Sequence, residues 1–362
     1  MIGYFISAIF IIFSLLKKDS KLFFILILFW MWVLFTFNYN NADYSMYMNM
    51  YYGYIEQSSE FFFSFLLDMA RKINLSYIVF RGIYGFICLY LIGITIYKNS
   101  KNKSLVLSFY FLFPFVLDVV QIRHFMAISI ITYAIPLLYS DNKKSIFKYI
   151  LLNILAIGFH YMAIFYLILI LVKRFSIKKV TIISIVAQII FLFVMQSNIL
   201  IDILLKFLPE NKVYIYFISD KLRSSYLLIL QCLIVQLISL ISVFVCYYIY
   251  RKHNKCIDNI DTKKEINIYK NTLKINLLIL ILIPAYFYNL DLIRIFRGIS
   301  IMNFIAIGNA IEKKNIKDNI IPITIGFALV MLLFYFLILK VNIFEKTGFM
   351  VLNYNYILDI LK

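Results

Sequence analysis

The chain has 362 residues, 63% of them hydrophobic, with a formal net charge of +18 at pH 7 and a mean hydropathy of +0.88. A soluble domain sits near half apolar, whereas here apolar runs of roughly 17 to 25 residues, enough to cross about 30 Å of hydrocarbon, recur from end to end. This excludes a soluble globular chain and predicts an all-α polytopic integral membrane protein, and the continuous rather than alternating runs exclude a β-barrel. The positive charge is that of cytoplasmic loops rather than of a nucleic-acid surface. Cys88, Cys232, Cys246 and Cys256 show no CxxC pairing, so neither a disulfide framework nor a zinc site is indicated.

In chain order, the start Met1-Ile2-Gly3-Tyr4 lacks a basic region and a small-residue cleavage site, and reads as a retained first helix rather than a signal peptide. Spans are predicted at about 2–16 and 22–37. A polar outer stretch follows at about 38–76, rich in Tyr, Asn and Met. Within it, 60–73 is too short and too charged to span and suits an interfacial helix. Further spans are predicted at about 77–97, 104–120 and 125–139. Residues 148–174 form one long apolar run with basic residues at both ends. A hairpin of two short helices, broken near Gly158-Phe159-His160, keeps both basic ends inside. Spans at about 180–196, 225–250, 273–290, 295–311 and 320–339 complete a set of about 12 segments. The whole of 1–362 reads as a single transmembrane domain, with a second outer loop at about 197–224 and a basic inner loop at about 251–270.

With both termini outside, the majority of the 36 Lys and Arg residues fall in the inner loops, and every inner loop is basic. Subtracting them leaves a short outer set: Asp43, Arg81, Arg123, His124, His160, Asp291, Arg294 and Arg297. Ionisable groups in or near spans are costly and face a cavity or a partner. Arg294 and Arg297 are three apart, which suits bidentate binding of an anion such as phosphate. Each position has a second reading that the residues leave open. Arg123 and Arg294 can snorkel to headgroups, Arg294 can pair with Asp291, His160 can be a buried group bonded to a carbonyl, and Asp43 can cap a helix. Tyr44 and Tyr47 are candidate sugar-stacking rings. A transporter is disfavoured, because the ionisable groups gather at one face instead of the midplane and no repeated half is visible.

Several motifs, taken in order, resemble the EpsG-type, Wzy-like polysaccharide polymerases. Asn41-Ala42-Asp43-Tyr44-x-x-Tyr47 is similar to the family's opening motif, and Ser59-Glu60-Phe61-Phe62-Phe63 to its Glu-Pro-x-Phe-like stretch without the Pro. Gln121-Ile122-Arg123-His124-Phe125-Met126-Ala127 and Gly158-Phe159-His160-Tyr161-Met162-Ala163 resemble its Arg and Phe-His segments, the latter with Met162 in place of a small hydroxyl residue. Arg294-Ile295-Phe296-Arg297-Gly298 resembles its late Arg segment, with Gly298 where Tyr is common. Asn353-Tyr354-Asn355-Tyr356 is loosely similar to its closing segment.

The resemblance implies a glycosyltransferase C-like fold in the bacterial cytoplasmic (inner) membrane, acting in O-antigen, capsule or exopolysaccharide synthesis. It implies transfer of a growing glycan from undecaprenyl pyrophosphate to a lipid-linked repeat unit on the outer face. His160, Asp43 and Arg123 are the expected catalytic residues, and Arg294, Arg297, His124, Arg81, Tyr44 and Tyr47 the expected substrate contacts. No cofactor or metal is expected; the partners are lipid-linked glycans, membrane lipids and a chain-length regulator, with no nucleic acid. Alternatives are a flippase for lipid-linked oligosaccharide and an O-antigen ligase or acyltransferase of the same side. A cysteine introduced beside Tyr44 is expected to react with a membrane-impermeant thiol reagent in intact cells. Labelling only after the inner membrane is permeabilised would invert the orientation.

Overall fold

The structure, a computed structural model, describes residues 2–56, 58–140, 142, 144–195, 201–202, 205–206, 210–214, 226–253, 260–287, 289–311, 316–336 and 348–360. Among them every regular element is helical, apart from one antiparallel bridge between Asn38 and Asn355. Six helical stretches are long and apolar enough to cross a membrane: Tyr77–Asn99, Lys103–Val120, Ile122–Tyr139, Ile177–Val194, Tyr226–Lys252 and Thr262–Phe287. Ile2–Leu16, Lys21–Phe37 and Asn319–Phe334 are apolar but shorter. The chain is a multi-pass membrane protein. The outer loop expected at about 197–224 lies largely outside the described residues.

Helix α1 (Ile2–Leu16) turns at 17–20 into α2 (Lys21–Phe37), whose N-cap Ser20 accepts from the Phe23 N–H at 3.4 Å. The pair is joined by polar contacts inside the bundle, where water is absent. Trp30 Nε1 donates to Ser7 Oγ at 2.9 Å, and Ser14 meets Ser108 of α6 (Lys103–Tyr110). Helix α2 packs on α5 (Tyr77–Asn99). The approach is close because Gly85 lacks a side chain: a Cβ there would lie 2.3 Å from the Phe35 ring.

Between α2 and α5 the chain forms two short helices. Helix α3 (Tyr44–Tyr52) ends at Gly53, which adopts φ 79, a left-handed value that glycine takes without strain. Helix α4 (Phe61–Lys72) buries Phe63, Leu67 and Ala70 and exposes Phe61, Phe65 and Met69. It has the length and two-sided character expected of the interfacial segment. After α6 the chain kinks at Phe113-Pro114, where proline removes an N–H donor, and resumes as α7 (Val116–Val120). Helix α8 (Ile122–Ala134) continues as a tight 3-10 turn over Ile135–Tyr139.

Helix α9 (Lys144–Phe159) stops at His160, an extended residue with φ −157 and ψ 120, and the chain returns as a 3-10 helix over Tyr161–Ile170 and as α10 (Leu171–Arg174). Two bonds show that the arms lie side by side. Tyr149 Oη donates to the Tyr166 carbonyl at 2.6 Å, and Lys173 Nζ donates to Ser145 Oγ at 2.6 Å. The basic ends therefore meet, with His160 at the far turn. Helix α4 covers that turn: Phe62 sits on Gly158, where a Cβ would lie 2.0 Å from its ring, and Tyr161 Oη donates to the Ser59 carbonyl at 2.7 Å.

Helix α11 (Ile177–Met195) follows, then α12 (Tyr226–His253) and α13 (Ile260–Ile279), which continues as a 3-10 helix over Leu280–Phe287. Of the basic stretch expected as an inner loop at about 251–270, the described residues are helical, and 254–259 lie outside the description. Thr262, Glu265, Ile268 and Tyr269 are buried at helical spacing, while Lys263, Lys264 and Lys270 stay exposed. The charges lower the hydropathy without breaking the helix. Helices α14 (Ile293–Arg297), α15 (Ser300–Asn309) and α16 (Ile316–Phe334) complete the bundle, with Asn276 of α13 donating to Asn303 Oδ1 of α15 at 2.7 Å.

The tail returns to the end of α2. Asn38 Nδ2 donates to the Met350 and Tyr354 carbonyls at 3.0 and 2.8 Å, and Asn355 Nδ2 donates to the Val33 carbonyl at 3.1 Å. The Gly158→Ala variant is expected to lose about 1–3 kcal/mol of stability through overpacking against Phe62. A detergent melting curve checks this, and an unchanged midpoint would show that α4 is free to lift off the hairpin.

Candidate active site

The hairpin turn, the start of α8, the start of α3 and the turn into α14 converge. Asp43 occupies the N-cap position of α3, yet its side chain makes no capping hydrogen bond. It is half-buried, and its field comes from Arg294, Arg123 and Asp291. Burial raises the Asp43 carboxyl above the ordinary aspartate range, the two guanidinium groups oppose that rise, and Asp291 adds to it. Tyr47, one turn further along α3, is buried and feels Arg123, Asp43 and Arg294 together. Three segments distant in sequence, the start of α3, the start of α8 and the turn into α14, thus meet around one carboxylate.

Each arginine expected at the site has a partner. Arg123 Nη1 donates to Glu60 Oε2 at 2.6 Å and to Ser58 Oγ at 2.7 Å, and its Nε donates to Tyr47 Oη at 3.3 Å. Glu60 is 2% exposed, so this is a largely desolvated ion pair rather than an arginine reaching for headgroups. Arg294 pairs with Asp291 at 2.9 Å, three residues before it. Arg297 donates to Gln121 Oε1 at 2.6 Å and lies 3.5 Å from Asp118 Oδ1, while Tyr110 Oη donates to the other Asp118 oxygen at 2.8 Å. Arg294 and Arg297 are therefore not one paired anion clamp. Arg297 points into the bundle interior at 5% exposure, and Arg294 stays half-buried beside Asp43.

The two histidines form a pair. The His124 and His160 rings are 5.0 Å apart at 68°, edge to face. His124 is 2% exposed and its Nε2 has no hydrogen-bond partner. The positive fields of Arg294 and Arg297 reach it. His160 Nδ1 accepts the Met162 N–H at 3.3 Å, capping the returning helix. A nitrogen that accepts cannot carry the proton of a neutral ring, so that proton sits on Nε2. In that tautomer His160 offers a hydrogen-bond donor at Nε2.

Arg81 and Tyr44 sit elsewhere. Arg81 is 2% exposed, and its guanidinium donates to the Asn38 and Phe35 carbonyls at 2.5 Å each, the unpaired acceptors at the end of α2. Its cation lies 5.1 Å from the Tyr44 ring centre and 5.2 Å from that of Phe35. Arg81 clasps the end of α2, and the Tyr44 ring is part of the clasp. Tyr47 is buried edge-on against Phe63 with its hydroxyl on Arg123. The exposed rings of this loop are Tyr52 and Tyr54.

Two partners of Arg297 were missed as site candidates from sequence, Asp118 and Gln121. Asp118 did carry a signal: a lone acid inside an apolar run. Gly298, which stands where the resembling family has Tyr, leaves room for Tyr166, whose hydroxyl donates to the Ile295 carbonyl at 2.8 Å. A Cβ at 298 would come within 2.0 Å of that oxygen. Among the described residues no group of three or more His, Cys, Asp or Glu side chains is placed to hold a metal ion.

The EpsG family model matches residues 21–356, so the chain belongs to the EpsG family. No curated protein and no solved structure matches it. Glu60→Gln leaves the Arg123 charge buried and unpaired and is expected to cost about 3 kcal/mol, whereas Glu56→Gln on the exposed loop costs within about 0.5 kcal/mol. Melting of both variants in one detergent checks the contrast; equal midpoints would show that the pair contributes nothing.

Proposed function

We propose that this EpsG-family chain is a polysaccharide polymerase of the glycosyltransferase C-like type, with about 12 segments and both termini outside. On this reading it works on the outer face of the bacterial cytoplasmic membrane. It transfers a growing glycan from undecaprenyl pyrophosphate to the terminal sugar of a lipid-linked repeat unit. Family membership supports polysaccharide synthesis at the coarse level. The observation that carries the finer reading is the Asp43 carboxylate, which makes no capping bond and is set in the fields of Arg294 and Arg123.

The chemistry asks for one base and a cationic place for a leaving diphosphate. An acceptor hydroxyl attacks the anomeric carbon of the donor glycan, the new glycosidic C–O bond forms, and the bond to the diphosphate oxygen breaks. Asp43 takes the hydroxyl proton, and burial favours this by strengthening the carboxylate as a base. The leaving diphosphate gains one negative charge as the bond breaks. Arg294 and Arg123, whose charges act on Asp43, stabilise that charge where it develops. Both are held by carboxylates in the unliganded protein, and a diphosphate offers them more charge and more acceptor oxygens than Asp291 or Glu60. His160 Nε2–H and the unpartnered His124 Nε2 supply neutral hydrogen bonds at the hairpin side. Arg297, Asp118 and Gln121 hold the floor beneath them. A chain-length regulator as partner belongs to the same reading.

Deletion of the gene separates this reading from the other two. A polymerase deletion leaves a single repeat unit on the surface, a flippase deletion leaves none, and a ligase deletion leaves long chains on the carrier. With the protein present at normal level in the membrane, Asp43→Asn and Arg294→Ala are each expected to reduce the surface ladder at least a hundredfold toward a single unit, as loss of a base or an oxyanion donor does. Arg81→Lys, which keeps a donor for the helix end, is expected to keep the ladder. A full ladder from Asp43→Asn would remove Asp43 from the chemistry.

A further inference from the structure

The loop after α2 and the tail of the chain bring three tyrosines together at the Asp43 end of the bundle. Tyr39 is the common member: its ring centre lies 4.7 Å from that of Tyr356 and 5.9 Å from that of Tyr354. Phe349 meets Tyr354 edge-on at 6.2 Å and extends the patch. Tyr356 and Phe349 are exposed, and Tyr39 and Tyr354 are half-buried.

The patch has a rigid base. Asn38 and Asn355 form an antiparallel bridge, and the Tyr39 N–H donates to the Tyr354 carbonyl at 3.2 Å. Asn38 Nδ2 donates to the Met350 and Tyr354 carbonyls, and the fully buried Asn355 donates to the Val33 carbonyl. Tyr39 Oη donates to Asp359 Oδ2 at 2.6 Å, which fixes its ring between the loop and the tail. None of these bonds uses the side chain of Tyr354 or Tyr356, so either ring can be removed without breaking one.

The rings lie close to Asp43. Tyr39 is four positions before it, at most about 14 Å of extended backbone. Asn41 holds the segment between them: its Nδ2 donates to Asn38 Oδ1 at 2.7 Å, and its side-chain oxygen accepts the Asp43 N–H at 3.1 Å. Tyr356 also acts on Tyr44, the residue next to Asp43.

We propose that Tyr39, Tyr354 and Tyr356 form a stacking platform for sugar rings of the glycan, beside the place of transfer. The site rests on the polymerase reading, since it supposes that a glycan passes Asp43. A pyranose ring presents a face of C–H groups and a rim of hydroxyls. A tyrosine ring matches both with an apolar face and a polar tip, and it loses little conformational freedom on binding. Rings already fixed in place lower that cost further. Tyrosines that anchor a bundle at the headgroups are spread around it as a belt. These three instead gather on one another, tied through a carboxylate to one turn of the tail. Stacking needs no particular pattern of hydroxyls, which suits a chain whose successive sugars must each pass the same place.

The test measures binding to the purified full chain in neutral detergent. The probe is polysaccharide from the strain that carries this chain, freed from its lipid by mild acid and sized to several repeat units. The double variant Tyr354→Ala, Tyr356→Ala is expected to weaken Kd by about tenfold. Tyr354→Phe with Tyr356→Phe, which keeps both ring faces, is expected to keep the affinity, as is Tyr248→Ala, an exposed tyrosine of α12 outside the patch. An unchanged Kd in the alanine variant, equal loss in the phenylalanine or Tyr248 variant, or no saturable binding to the unaltered chain would each overturn the platform. Should the alanine variant fail to fold, a photoactivatable derivative of the same fragment on the unaltered protein replaces it. Labelling is then expected in peptides containing Tyr39 or Phe349–Ile360, and labelling confined to other segments would overturn the platform. Asp43→Asn separates the two readings. A full surface ladder from Asp43→Asn with ring-dependent binding would remove the transfer chemistry and leave the platform, and a lost ladder with ring-independent binding would do the reverse.

Discussion

Charge buried in an apolar bundle survives only when it is paired, and that constraint shapes the Asp43 end of this protein. Arg123 has Glu60, Arg294 has Asp291 and Arg297 has Asp118. Arg81 has no acid partner among the described residues and instead takes the carbonyls that end α2. Once these cations are assigned, Asp43 is left with no ion-pair partner among the described residues, in the fields of Arg294 and Arg123. A half-buried carboxylate with no fixed partner beside two partly accessible arginines is poor design for stability and suitable design for a proton acceptor beside a departing anion.

The same region is braced from outside the site. Asn38 accepts from Arg81 through its carbonyl, donates to the tail through its amide, and accepts from Asn41 Nδ2 at 2.7 Å through its side-chain oxygen. The Asn41 side chain in turn accepts the Asp43 N–H at 3.1 Å. One asparagine therefore links α2, α5, the tail and the start of α3, and fixes the backbone from which Asp43 projects. On the opposite flank, α4 carries Glu60 to Arg123 and Phe62 to Gly158, so the interfacial helix and the hairpin are positioned together.

Much of this was readable from sequence, and the failures have physical causes. Ionisable residues stand out in an apolar chain, so Asp43, Arg123, His124, His160, Arg294 and Arg297 were visible as a set. The break at His160 followed from basic residues at both ends of one apolar run, which need a common side. Side-chain direction was not readable. Arg81 and Tyr44 lie beside the site in sequence, but packing turns them into the end of α2. The His160 tautomer depends on a single backbone N–H supplied by the fold. The helix through 260–270 was hidden because its lysines lowered the hydropathy of a segment whose other face is buried. Asp118 was legible and passed over, since the apolar run around it read as a clean span.

The role of Asp43 is tested most directly by the pH dependence of repeat-unit transfer, measured with purified enzyme and a lipid-linked acceptor. A base whose carboxyl is raised by burial is charged above its own pKa and neutral below it. The transfer rate should therefore fall as pH is lowered through an apparent pKa above the ordinary aspartate range. The Asp43→Asn enzyme should show a small residual rate without that acid limb. An unchanged acid limb in Asp43→Asn, or a rate close to that of the unaltered enzyme, would contradict the account.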